Sequence, residues 1–166
     1  MTTTLSTFDI AAQYVAARPT FWTGPSGEQV TGEQTAHHLD AVHDLLQRDG
    51  WVRNFRTDDP DIELPDETAS VKTMIRQLFR VIRDIVGTDK RNTLHLAIHH
   101  VAKSNDGDDD TGETAINVLH AILQARTGAD TALVGAWASK LGRTWEEVAE
   151  LLTEAAKFAR TYGPTS

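Results

Sequence analysis

The chain has 166 residues, no cysteine and a formal net charge of −8, from 24 acids against 16 bases. Without thiols there can be no disulfides, thiolate nucleophiles or cysteine-type zinc sites. The acidic balance disfavours non-specific binding to nucleic acid or to anionic membrane. Hydrophobic residues at 40% and charged residues at 24% are near globular averages, and a chain of this length can bury roughly 70% of its unfolded surface.

Met1-Thr-Thr-Thr-Leu-Ser6 has neither the basic nor the apolar region of a signal peptide, and no apolar run approaches the ~20 residues needed to cross a bilayer. The expectation is a cytoplasmic protein. Residues 1–6 read as a frayed tail. Thr7 to Arg18 follows as a helix with Phe8, Ala11, Ala12 and Val15 inward, ended by Pro19. A turn-rich stretch with Phe21 and Trp22 leads to Thr31-Gly-Glu-Gln34, whose spacing is that of a capping box. It opens a second helix that runs to about Arg48 through Leu39, Val42 and Leu46, with Asp49-Gly50 as the stop. In Trp51 to Phe55 the apolar residues alternate, which predicts a short extended segment. Thr57 to Glu67 holds six acids and two prolines and reads as an exposed loop.

Leu64 to Gly87 is the longest unbroken helical pattern. Val71, Met74, Ile75, Leu78, Ile82, Ile85 and Val86 recur at spacings of three and four, the mark of one apolar face. Lys72, Arg76, Arg80 and Arg83 fall within about 80° of one another on the helical wheel and form a basic ridge. The expectation is that this helix is the centre of the fold, its stripe buried and its ridge outside.

Asn92 is placed to cap a fourth helix with Leu94, Ala97, Ile98 and Val101 inward. The acidic run 105–113 ends it, and a fifth helix starts at Thr111 or Gly112 and reaches Arg126. Asp130 is placed to cap a sixth, which Gly142 ends. Thr144-Trp-Glu-Glu147 is a second capping box, opening a helix to about Tyr162 before Gly163-Pro164, with 164–166 frayed. The fold class is all-α: a single domain, residues 1–166, in a bundle of about seven helices.

Four constellations carry chemistry. Asp106, Asp108 and Asp110 alternate like the start of an EF-hand, but Thr111 stands where the turn glycine belongs and Asn117 where the bidentate carboxylate belongs, so a solvated loop is expected. His95 and His99 are one helical turn apart, and an antiparallel hairpin of helices four and five would set His120 opposite His95. Three imidazoles so placed would suit zinc, although packing histidines are the commoner outcome and no cofactor is expected. Residues 137–152 have the spacing of a helix-turn-helix, but Glu146, Glu147, Glu150 and Glu154 would face the polyanion, which disfavours nucleic acid. The basic ridge would suit an acidic protein partner, with the aromatics Phe21, Trp22, Trp51 and Phe55 as further anchors. A homo-oligomer is compatible with it.

Trp137, then Gly142-Arg143-Thr144-x-x-Glu147-Val148 and a Leu-Leu/Ala-Ala helix, resembles the C-terminal signature of a family of small actinobacterial proteins of unknown function. In that family a Gly-Trp pair like Gly50-Trp51 follows an earlier helix. The likeness spans residues 36–160. It departs at Ala138-Ser139, where Asn-Asp is the family's pattern, and in the lack of cysteine. The resemblance brings no catalytic residue with it. No phosphate loop, Gly-x-Ser-x-Gly or Cys-His pair is present. The functional expectation is a protein-binding or adaptor module, with a nucleic-acid-binding regulator and a histidine metal protein as the alternatives.

Overall fold

The computed structural model describes residues 5–54, 70–88 and 90–165, leaving aside the side chains of residues 80–88. Among the described residues the chain forms seven helices and no strand: α1 (Thr7–Ala16), α2 (Gly32–Asp49), α3 (Val71–Thr88), α4 (Leu94–Ala102), α5 (Asp109–Thr127), α6 (Val134–Ala138) and α7 (Trp145–Tyr162).

Local hydrogen bonding sets most of the helix starts. Thr31 Oγ1 accepts from Gln34 N at 3.1 Å while Gln34 Oε1 accepts from Thr31 N at 2.8 Å, and Thr144 and Glu147 make the same exchange at 3.3 and 2.9 Å. Both boxes stand where the sequence places them. Four other starts differ. Ser6 is a cap rather than frayed tail, because its hydroxyl and amide are both tied to Asp9. Thr93, not Asn92, caps α4 through Leu96 N at 3.3 Å. Asp108 caps α5 through Thr111 N at 2.7 Å, so that helix begins before Thr111. The sixth helix is only five residues long, with Leu133 rather than Asp130 at its cap position.

The core is built around α5, which packs against α1, α2, α4, α6 and α7, while α2 and α7 share the most extensive pairing. Leu119, Ile122 and Leu123 of α5 meet Leu39, Val42 and Leu46 of α2, Leu94 and Ile98 of α4, and Leu151, Leu152 and Phe158 of α7 in one buried cluster. At the far end, Gly32 N donates to Pro164 O at 2.9 Å, and a side chain at Gly32 would strike the carbonyl of Ala159. Glycine is required there by closeness, not by backbone angle.

The expected centre is not the centre. Among the described residues α3 has no extended packing against another helix, and Val71, Ile75 and Leu78 are 72%, 49% and 52% exposed, while the side chains of Ile82, Ile85 and Val86 lie outside the described part. Its stripe reports a face that favours cover, which is a different property from being covered. The ends of the excursion that carries it are stitched together: Trp51 and Asn92 form a parallel bridge, with Val52 N donating to Asn92 O and Asn92 N to Gly50 O, each at 3.0 Å. The extended segment expected at 51–55 is this single bridge; Phe55 and residues 57–67 lie outside the described part.

Candidate functional site

α3 places an apolar strip and basic residues side by side in solvent. Val71, Ile75 and Leu78 fall at i, i+4 and i+7, and Phe79, 69% exposed, widens the strip. Met74 is half-buried. Lys72 and Arg76 are exposed on one flank of the strip, and the neutral Thr73 and Gln77 lie on the back of the helix. The side chains of Arg80 and Arg83 lie outside the described part, so the ridge is seen only in its first half.

The aromatic anchors are placed differently from expectation. Phe21 is buried, 4% exposed, and Trp22 leans edge-on against it at 5.1 Å between ring centres while packing on the core. Trp51 is half-buried against the core, and its indole nitrogen is buried without a hydrogen-bond partner. These rings serve packing first, which leaves α3 as the element with the most exposed large apolar side chains among the described residues.

The histidines divide. His38 is fully buried, with Nε2 donating to Ile98 O at 3.1 Å and Nδ1 at 3.0 Å from Thr111 Oγ1. Burial pushes its pKa below the usual histidine value, so the neutral ring is the native form. A side chain at Gly107 would collide with this ring. His95 and His99 stack edge to face with their Nε2 atoms 3.1 Å apart, one imidazole donating to the other. Burial lowers the pKa of His120 as well. The three do not close into a ligand set: among the described residues no three histidine or carboxylate side chains are grouped to hold a metal ion.

Three carboxylates of the acidic run are engaged within the fold. Asp108 caps α5, Asp109 pairs with Lys103 at 2.7 Å, and Asp110 accepts from Ser26 N at 2.9 Å and from its hydroxyl, which holds the Asp110 carboxyl below its usual range. At the helical corner, α7 exposes Glu146 and Glu150 and buries Val148, Leu151 and Leu152 against the core.

The motif Trp137…Gly-Arg-Thr-x-x-Glu closes on itself. The Arg143 guanidinium lies over the Trp137 ring, 3.7 Å from its centre. Its Nε donates to Trp137 O at 3.1 Å and its Nη1 to Glu147 Oε1 at 2.8 Å. Glu147 simultaneously caps the helix through Thr144 N, and this bond with the nearby cations lowers its pKa. One arginine therefore joins the ring of α6 to the start of α7. Sequence reading missed what stands beside it. Arg53 and Asn54, next to the Trp51 bridge, line a pocket of about 360 Å³ together with Gly142 and Arg143. The only local signal was an arginine amid alternating apolar residues.

Among the described residues no helix is long and apolar enough to cross a membrane. Comparison with curated proteins and with solved structures gives no match. A family model described as a family of unknown function, DUF6197, matches residues 30–158, from the box that opens α2 to the last turns of α7. The chain therefore belongs to the family of unknown function DUF6197.

Proposed function

We propose that the protein is a cytoplasmic protein-binding module whose docking element is α3. The observation that carries this reading is the exposure of Val71, Ile75, Leu78 and Phe79 on one helix, beside Lys72 and Arg76. Such spacing matches the anchors of a helix that lies in a partner's groove. Full burial of one such side chain contributes about 1.5–3 kcal/mol, and the area these four still expose is the main favourable term open to a complex, with the flanking cations adding to it. The cations on a single flank select a groove with an acidic rim on that side. A lipid surface fits less well, because the chain as a whole is acidic at −8 and the segment 57–67 just before α3 carries six acids.

Site-specific photocrosslinking tests this. With p-benzoylphenylalanine in place of Phe79, irradiation of host cells is expected to give discrete protein adducts that disappear when Ile75→Asp is added. Adducts unaffected by Ile75→Asp, or none alongside co-sedimentation of the protein with anionic vesicles, would remove the reading.

A further inference from the structure

The pocket between the Trp51 bridge and the α6–α7 turn has an electrostatic imbalance. Arg143 on one wall is neutralised by Glu147 at 2.8 Å. Arg53 on the other wall has no carboxylate paired with it among the described residues, and its Nε is buried without a hydrogen-bond partner. Arg53 as a whole is only part-buried, and leaving a donor of a charged group unsatisfied costs more than leaving a neutral one. Most buried polar groups in native structures are satisfied, so an unsatisfied guanidinium nitrogen on a residue lining a pocket is a feature that needs an explanation. The remaining lining is of the same character. Asn54 brings a side-chain amide, and Arg143 keeps Nη2 uncommitted after its bonds to Trp137 O and Glu147. Gly142 has φ +83°, in the left-handed region, and nothing lies within 4 Å of where its side chain would be. Glycine is favoured there by its backbone angle and adds no side chain of its own to the pocket.

We infer that this pocket binds the oxyanion of a small acidic ligand, a phosphate or a carboxylate, through Arg53, Asn54 and Arg143. Guanidinium groups suit either anion, since the planar fork donates two parallel bonds to two oxygens. The binding site is separate from the α3 surface and does not depend on it. No carboxylate lines the pocket among the described residues, so the wall opposes no anion directly.

The test uses the full chain with inorganic phosphate and with acetate as probes, at constant ionic strength held by sodium chloride. Binding is read from the arginine Nε and tryptophan indole resonances in nitrogen-15 NMR spectra. A saturable shift with at least one probe is expected, and the stronger of the two identifies the ligand class. Arg53→Gln is expected to weaken that binding at least tenfold, and Arg53→Lys to restore only part of it. Asn54 is exposed, so Asn54→Asp keeps the fold while placing a negative charge in the pocket, and the same tenfold loss is expected. No saturable response to either anion would overturn the inference, as would equal affinity in wild type, Arg53→Gln and Asn54→Asp.

Discussion

α3 and α5 are of nearly equal length, eighteen and nineteen residues, and they occupy opposite situations. α3 separates its apolar and charged residues more sharply than any other long helix, and the described half of its apolar face is largely in solvent. α5 shows the weakest separation of the long helices and is the hub of the core, with eleven buried residues from Thr111 to Gln124. The contrast has a simple cause. A helix touched on several sides needs apolar or small residues on several sides, which erases its stripe. Gln124, Thr114, Ala115, Leu119 and Ile116 together cover most of the circumference of α5, and each is buried. A sharp stripe belongs to a helix at a boundary, whether that boundary is with its own core or with something else.

The comparison can be broken first at α5. Leu119 is fully buried, and Leu119→Ala is expected to lower the unfolding free energy by about 2–5 kcal/mol in urea titration. A loss below about 1 kcal/mol would mean that α5 is not the hub.

A smaller effect sharpens the picture where α5 begins. His38 joins α2 to the carbonyl of Ile98 and to Thr111 as a neutral ring, its pKa lowered first by burial. The unfolded chain takes up a proton on this side chain at a higher pH than the native protein does. The stabilisation is therefore complete above the unfolded value and is lost as pH falls from there toward the lower folded value. Between pH 7 and pH 5 the unfolding free energy is expected to decline, with a slope of up to about 1.4 kcal/mol per pH unit for each such group. His120, displaced in the same direction, adds to the slope. His38→Gln is expected to flatten the decline, and an unchanged slope in that variant would place the titration elsewhere.

What was legible in the sequence was what is local. The boxes at Thr31 and Thr144 involve residues three apart, and both were readable without tertiary information. Asp108 was obscured because neighbouring carboxylates competed for the same role, and only the fold assigns Asp109 to Lys103 and Asp110 to Ser26. The centre of the fold was misread because periodicity tells which face of α3 favours cover and is silent on what covers it. The histidine triad needed a register between two helices, and the pair His95–His99, which needed only one turn of helix, is the part that formed. The pocket was beyond reach altogether, since Arg53 and Arg143 are about ninety residues apart and meet only through the Trp51 bridge and the α6–α7 turn.

The smallest expected effect is the most direct test. The double variant Ile75→Asp plus Leu78→Asp replaces two half-exposed apolar side chains of α3 by charges. Its equilibrium unfolding in urea, set beside that of the wild type, is expected to agree within about 1 kcal/mol, as for surface substitutions. A loss of about 3 kcal/mol or more would place the α3 stripe inside the core and contradict a free docking helix.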